Sequence, residues 1–462
     1  MEEKFDPNAI DQATSQVRSD GPMPLTDLRE FTHFDGALET GSRIWPVTFR
    51  AKVERSGEIA FEFAALPWNH DTVEIERIWG RHQKTVHYFA LQGIALDGTS
   101  LRSESFYITG TAIQSDETGN FLNLRGKCSE GRFVQSHPAI EKIFVRQALV
   151  GFECFGLLNA TCSLGSVYLR GMTNLPDDGG ISGFLEIEPQ SIPDDLDLWR
   201  ANVAKLFQHI RFVMSFAASR QIKNPITQFR QSATLETKSW SFVPATGTGM
   251  APFSRLDLQT IFAIAVDSFF EGDRSNKKIA FAVEWLIMPS THTEVRLINA
   301  MTALEHLTES NLPTEDTVYL PSRRFDDLSK LMRRALPDLA DGPETTFRRN
   351  LKGKMQDLNR LSLREKVERL VRLWNVDLDD LPQDGIRSAI TARNAIVHRG
   401  HYYDDGPVTP EERDLMDHVL LVREIVTRLL FSALHYQGPY FSYVGGYHQA
   451  TYPQAVKKTA DC

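Results

Sequence analysis

The chain changes its pattern of hydrophobic and polar positions partway along its length. From Ile44 to about Glu188, apolar residues mostly recur at every second position, as in Val47–Val53 and Ile59–Phe63. The same alternation occurs at 86–91, 105–109, 166–170 and 183–188. β-branched and aromatic residues in such runs, with glycine breaks between them, are typical of antiparallel strands. The pattern predicts a sandwich or barrel of roughly 140 residues.

After Pro193 the apolar spacing becomes three and four. Asp194 and Asp195 precede the first such run, which predicts an amphipathic helix over 194–218. Residues 219–250 show no period and are expected to be irregular. From about Leu256 to Tyr436 the helical period dominates. Helices are predicted from about 258, then at 280–287, 294–307, 325–336, 344–359, 363–374, 386–397 and 411–434.

These patterns predict an α+β protein with an antiparallel β-rich domain followed by an all-α bundle. Residues 1–40 are expected to be a weakly ordered lead-in, and 41–250 a β-rich sensor or regulatory domain that includes the connecting helix. Residues 251–462 are expected to form the helical domain with its tail. The tail, 438–462, is rich in Tyr and Gly, and either packing or a loose arrangement is compatible with that composition.

Composition sets the broad class of the protein. With 42% hydrophobic and 24% charged residues in 462, a globular chain of two or three domains is expected. The net charge of −9 argues against indiscriminate nucleic-acid binding. Residues 323–372, however, hold 14 Lys and Arg against 8 Asp and Glu. This basic segment is either a local polyanion site or a set of solvated helix faces.

Several sequence signals predict a cytosolic protein that does not contact a membrane. The start is acidic and lacks an apolar signal region. The apolar stretch 258–270 is short and contains Asp267. Four scattered cysteines fit a reducing compartment and argue against a structural zinc site.

Most catalytic signatures are missing from the sequence. There is no HExxH, phosphate-binding loop, GxGxxG or GxSxG pattern. We therefore expect no cofactor and no catalytic metal.

The pattern R-x4-H occurs four times, so the string alone carries little information. The matches begin at Arg77, Arg132, Arg393 and Arg413. The first two lie in or beside β-type sequence. In the fourth, Arg413 and His418 should diverge around an ideal helix and lie on its surface.

The third match differs because its histidine falls near a helix end. Ile386, Ile390, Ala395 and Val397 are expected to give this helix a buried side. Gly400 follows as the expected left-handed cap, so that a loosened last turn would let His398 point with Arg393 into one groove.

Arg393-Asn394 followed by three small or apolar residues and His398 resembles the R-N-x-x-x-H signature of HEPN domains. The resemblance covers roughly 255–436. The order of a β-rich part before a helical part is similar to that of ApeA-type proteins of bacterial anti-phage defence. The resemblance implies a ribonuclease that works as a symmetric homodimer, with two motifs across one cleft. A free ribonuclease would harm its own cell, so we expect the β-rich part to sense a phage-derived trigger and to restrain the nuclease.

The resemblance assigns roles to particular residues. Arg393 and His398 would be catalytic, with Asn394 assisting. Glu305 would either orient them from an earlier helix or be an ordinary exposed glutamate. The basic positions expected to bind RNA are Arg348, Arg349, Lys352 and Arg399.

The residue types suit RNA cleavage without a metal. Histidine transfers protons near neutral pH, and arginine donates two parallel hydrogen bonds to a phosphate while staying charged. Attack by the 2′-hydroxyl would leave a 2′,3′-cyclic phosphate, and DNA would resist. Two other interpretations remain open: a helical dimerisation module without catalysis, or a β-domain that binds a small ligand or carbohydrate.

Overall fold

The computed structural model describes residues 30–41, 43–54, 56–81, 86–136, 142–176, 180–242, 247–271, 278–335, 343–382, 384–402 and 414–453. They fall into two compact units. Unit 1 comprises Met1–Leu149, Pro176–Ile181 and Asn224–Pro244, and unit 2 comprises Val150–Leu175, Ser182–Lys223 and Ala245–Cys462.

The strands of the described chain are β1 (Thr32–Thr40), β2 (Arg43–Val53), β3 (Ile59–Phe63), β4 (Leu66–Pro67), β5 (Phe89–Ile94), β6 (Ser100–Asp116), β7 (Gly119–Cys128), β8 (Glu130–Ser136), β9 (Phe144–Val150), β10 (Leu157–Cys162), β11 (Gly165–Gly171), β12 (Gly183–Glu188), β13 (Lys223–Gln231), β14 (Thr234–Trp240), β15 (Gly438–Ser442) and β16 (His448–Tyr452). The predicted alternating segments all lie in or overlap strands.

The α-helices of the same residues are α1 (His70–Arg81), α2 (Leu196–Ala218), α3 (Gln259–Phe270), α4 (Ala280–Leu286), α5 (Thr293–Asn311), α6 (Ser322–Ala335), α7 (Pro343–Lys354), α8 (Leu363–Trp374), α9 (Gly385–Arg399) and α10 (Leu415–Leu434). None of them is both long enough and apolar enough to cross a bilayer.

Unit 1 contains a six-stranded antiparallel barrel. Its strands pair in the closed order β1-β2-β3-β7-β6-β5, and β5 returns to β1. Beyond the barrel, β8 pairs with β6 and continues through β14 and β13 to β9. The fold class is therefore α+β, and the β-rich part includes a barrel.

Phenylalanine side chains fill the interior of the barrel. Six of them lie in one buried cluster with neighbouring ring centroids 5.3–6.2 Å apart: Phe34, Phe49, Phe61, Phe63, Phe89 and Phe106. At Gly126 an added Cβ would lie 2.3 Å from the Phe106 ring, so glycine makes room for it. Side chains fill the interiors of other small barrels in the same way.

The structure of unit 1 differs from the predictions in three places. The expected lead-in ends early, because β1 occupies 32–40, while residues 1–29 lie outside the described part. The stretch 219–250, expected to be irregular, contains β13 and β14. Helix α1, which lies between β4 and β5 and carries Arg77 of the first R-x4-H match, was not predicted.

Unit 2 begins with a three-stranded meander, β10-β11-β12. The outer strand β10 is covered by Gln259 of α3, whose side-chain amide donates to the Asn159 carbonyl (2.8 Å) and accepts from the Asn159 amide (3.2 Å). The Gln259 side chain thus hydrogen-bonds backbone groups of Asn159 that would otherwise be unpaired on an edge strand. The long helix α2, predicted at 194–218, packs against α3 and α4.

Helix α10 forms the centre of unit 2. Buried residues occur on every side of it, and it packs against α5, α8 and α9. A helix that is apolar all round is expected to be enclosed by others. After it, β15 and β16 form a hairpin, so the part of the tail over 438–452 is ordered structure.

The units do not follow the boundary predicted at residue 250. The meander and α2 belong to the same unit as the later helices. The second domain was expected to be all-α, but unit 2 also contains strands β10–β12 and the β15–β16 hairpin. Periodicity identified most of the elements but not which of them pack together.

Acid is expected to destabilise unit 2 through His209 of α2. Burial lowers the pKa of His209 to about 4, and its Nε2 lies 2.8 Å from the Ser268 hydroxyl. In the unfolded chain the imidazole is protonated below about pH 6.5, whereas in the folded chain it is protonated only near pH 4. The stability that the neutral imidazole contributes is therefore fully present above pH 6.5 and is lost progressively as the pH falls towards 4. We expect a loss of up to about 3 kcal/mol, measured by chemical unfolding at neutral and acidic pH. His209→Gln should reduce this pH dependence, whereas the exposed His292→Gln should not; equal dependence in all three proteins would contradict the assignment.

Candidate functional site

Helix α9 carries the candidate motif and faces the core with small residues. Gly385, Ala389, Ala392 and Ile396 are buried, at spacings of four, three and four, towards α10 and α5. The predicted buried side was wrong: Ile386, Ile390 and Ala395 are only half-buried, and 52% of Val397 is exposed. Small residues allow close helix packing, so the larger side chains point away from the core.

Arg393 is held by an acidic residue on another helix. Its Nη2 donates to Oε1 of Glu305 on α5 at 3.0 Å, and both side chains are about one-third exposed. Its Nη1 donates to Oδ1 of Asn394 at 3.2 Å. The guanidinium is therefore fixed in direction and still reached by solvent, and Glu305 is not an unpartnered surface glutamate.

His398 lies on the exposed side of α9 in its last turn. Asn394, also exposed, lies four residues earlier and thus one turn away on the same side. Gly400, with φ of 87°, ends the helix and its amide donates to the Ile396 carbonyl. The expected Gly400 cap is present.

The expected loosening of the last turn does not occur. The helix remains α-helical through Arg399, so Arg393 and His398 are about 140° apart around its axis. The side of α9 between these two directions carries Ile390, Asn394 and Val397. We call the surface formed by Ile390, Arg393, Asn394, Val397 and His398 the motif face.

The expected RNA-binding residues are only partly described. Arg399 is exposed directly after His398, and Arg349 is exposed on α7. Arg348 and Lys352 also lie on α7, but their side chains are outside the described part. Helix α7 packs against the turn Met355–Asn359 that follows it. Among these candidates, hydrogen bonds join Arg393 to Asn394 and to Glu305.

Each of the other three R-x4-H matches has one member outside the described residues. Arg132 pairs with Glu236 at 3.1 Å, whereas His82, His137 and Arg413 lie outside the described residues. His418 was expected on the surface, but only 3% of it is exposed, and its Nε2 lies 3.3 Å from the Tyr402 hydroxyl. The helix that carries it is central to unit 2, which the local pattern did not reveal.

One charged network was missed by the sequence analysis. Arg428 of α10, 2% exposed, donates to Glu424 (2.8 Å) and to Asp380 (2.8 Å). Glu424 also accepts from the hydroxyls of Tyr440 and Ser442 on β15. We call these five residues the Arg428 network. An i,i+4 Glu–Arg pair usually indicates an exposed helix face, so the burial of this pair could not be predicted from its spacing.

The remaining candidate groups are metal-binding side chains and the cysteine thiols. Within the described ranges no group of three or more His, Cys, Asp or Glu side chains is placed to hold a metal ion. Cys154 and Cys162 are separate thiols whose pKa values burial raises, which does not favour nucleophilic thiolates.

Comparisons of this chain with models of known protein families, with curated proteins and with solved structures found no match.

Proposed function

We propose that this protein is a metal-independent endoribonuclease that resembles HEPN enzymes and uses the motif face as its active site. The observation that carries the proposal is the arrangement on α9: Arg393 oriented by Glu305, with Asn394 and His398 exposed one turn apart.

The chemistry divides among these side chains. His398 moves a proton between the 2′-hydroxyl or 5′-oxygen and the solvent. Arg393 stabilises the negative charge that develops on the phosphate through its free N–H groups, while Glu305 holds it in place. Asn394 donates a hydrogen bond to a phosphate oxygen. Glu305 is thus a positioning residue.

A second copy of the chain completes the site. A single histidine cannot readily act as acid and base in one step, and Arg393 and His398 diverge on one helix. Two motif faces related by a two-fold axis would supply two histidines and two arginines to one phosphodiester. The exposed Val397 lies between them, where an apolar contact between copies would exclude water.

RNA would approach along basic surfaces of unit 2. Arg399 follows His398 at the end of α9, and α7 carries Arg348, Arg349 and Lys352. Net positive charge over 323–372 attracts a polyanion to a chain that is otherwise acidic. Unit 1 would restrain the nuclease until a phage-derived trigger binds its outer surface, in cytosolic anti-phage defence.

The direct test is cleavage of a defined RNA by the purified chain in the presence of EDTA. We expect a 2′,3′-cyclic phosphate and a 5′-hydroxyl at each cut and no cleavage of the same sequence as DNA. Cleavage that depends on a divalent ion, or products with a 3′-hydroxyl, would contradict the proposed chemistry.

Replacing Val397 with glutamate is expected to abolish both dimerisation and cleavage. Two carboxylates would meet across the two-fold axis in a desolvated contact, which is strongly unfavourable. Light scattering and the RNA assay measure the two effects. Leu256→Glu is the matched control, because Leu256 is exposed in unit 2 but lies outside α9. A Val397 variant that remains dimeric and active would rule out this interface.

A module that dimerises without catalysis is the second candidate, because exposed Val397 favours an interface whether or not chemistry follows. It predicts that Val397→Glu separates the copies while the wild-type chain cleaves no RNA.

A further inference from the structure

The C-terminal hairpin presents a cluster of aromatic rings outside α9. Phe441 and Tyr447 are stacked, with centroids 4.9 Å apart and planes 21° apart. Tyr443 adds a third ring, 5.4 Å from Tyr447. We call these three residues the aromatic platform. Tyr447 is 65% exposed, although tyrosine rings usually bury most of their apolar surface.

The platform has a rigid support. Side chains alternate along β15, so Tyr440 and Ser442 point inwards and Phe441 outwards, and Tyr443 follows β15 directly. Both inward residues donate hydroxyl hydrogen bonds to the buried Glu424 of α10. A stacking surface that is already ordered loses little conformational entropy when a ligand binds.

Three arginines lie around the loop that supports this hairpin, and we call Arg220, Arg296 and Arg423 the arginine cluster. Arg423 donates to the hydroxyls of Ser219 (3.1 Å) and Thr248 (3.3 Å) and to the Leu286 carbonyl.

Arg220 lies close to the same loop, and Arg296 is held by a neutral group. Arg220 lies against Gly247, where an added Cβ would be 3.0 Å from its Nε. Arg296 donates from Nε to the Ser290 carbonyl at 2.7 Å. Within the described residues, no member of the cluster has a carboxylate within ion-pair distance.

Electrostatics make this cluster unusual. Burial lowers the pKa of Arg423 to about 10, and the nearby positive charge of Arg296 adds to the lowering. Buried cations in proteins are normally paired with an anion. Arg423 and Arg296 donate to neutral acceptors, which favours the arrival of an external anion beside them.

The platform and the cluster share one loop, residues 247–252. The Tyr443 hydroxyl donates to the Ala251 carbonyl at 3.2 Å, and the Phe441 amide donates to the Pro252 carbonyl at 2.8 Å. Thr248 of the same loop contacts Arg423. Stacking surface and positive charge are thus adjacent within unit 2.

We propose that the aromatic platform and the arginine cluster form a nucleotide-binding site, with the base stacked on Tyr447 and a phosphate at the arginines. Aromatic rings beside cations are the combination that binds single-stranded nucleic acids and nucleotides. A neutral sugar would use the rings but would leave the arginines without a partner. The site does not involve Arg393 or His398, so it does not depend on the proposed ribonuclease activity.

The same chemistry is present in a free nucleotide and in an RNA strand. The two sources are separated by titrating the full chain with AMP and with a short oligouridylate. The oligouridylate is used with His398→Ala protein so that cleavage cannot interfere. AMP binding as tightly as the oligomer indicates a free nucleotide; much tighter binding of the oligomer indicates a strand.

Tyr447→Ala is expected to weaken binding by about five- to 100-fold, the range found when a stacking ring is removed. Tyr447→Phe should bind like the wild type, because it keeps the ring. Tyr88→Ala, which removes another exposed tyrosine in unit 1, should also bind normally. Thermal unfolding of each variant checks the fold.

A second change tests the charge. Arg296→Gln should weaken both probes and reduce the salt dependence of binding, because one fewer cation faces the phosphate. The proposal is overturned if the wild-type chain binds neither probe at millimolar AMP and micromolar oligomer, or if Tyr447→Ala binds as tightly as the wild type. Loss of RNA cleavage with retained AMP binding would instead count against the ribonuclease alone.

Discussion

Replacing His398 with alanine is expected to lower the rate of RNA cleavage by about 10²- to 10⁴-fold, the usual contribution of a general acid–base side chain. The fold should be unaffected, because the imidazole is exposed and α9 is anchored by its opposite side. The rate is measured under single-turnover conditions with EDTA, and RNA binding is measured separately. We expect binding to change little, since the imidazole contributes to proton transfer rather than to affinity.

The matched control is His292→Ala, which removes an exposed histidine from the N-terminus of α5. Its rate should equal that of the wild type. Glu305→Gln should reduce cleavage less than Arg393→Ala, because it loosens the guanidinium without removing it. If His398→Ala and Arg393→Ala both cleave RNA at the wild-type rate, α9 is not the active site.

Replacing Arg428 with alanine is expected to destabilise unit 2 by about 3–5 kcal/mol, which is typical for removing one partner of a buried ion pair. Glu424 would remain buried with its charge unpaired, and Asp380 would lose its bidentate partner. The loss is measured by chemical unfolding and should include the β15–β16 hairpin, which Glu424 anchors.

Arg364→Ala provides a matched control for this prediction. Arg364 and Glu368 on α8 have the same i,i+4 spacing and a 2.8 Å contact, but both are exposed. Such pairs contribute about 0.3–0.5 kcal/mol. Similar losses in the two variants would mean that burial does not set the contribution of Arg428.

The pattern of apolar residues predicted elements well where it was regular. Strands β2, β3, β11 and β12 and helix α2 lie where the periods place them. Strand β13 was missed because Lys223-Asn-Pro-Ile-Thr-Gln-Phe-Arg-Gln231 is mostly polar, yet five of its nine residues are buried. One of its two neighbouring strands, β9, is distant in sequence.

Only the features of the site that lie within the motif and directly after it could be predicted from the sequence pattern. The spacing of Arg393, Asn394 and His398 and the Gly400 cap are local features, and both were predicted. Which side of α9 is buried was not predicted. That depends on how closely α5 and α10 pack against α9, because close packing favours the side with the alanines over the side with the isoleucines. The bond between Arg393 and Glu305 spans 88 positions.

The interleaving of the two units has a consequence for protein synthesis. Unit 1 is complete once residue 244 has been made, whereas parts of unit 2 are already present at 150–175 and 182–223. A truncation that removes residues 1–250 would therefore take the meander and α2 away from unit 2 as well. On the ribosome, the barrel can close long before α9 leaves the exit tunnel, so the helix that bears the motif emerges only when any restraint from unit 1 could already be in place.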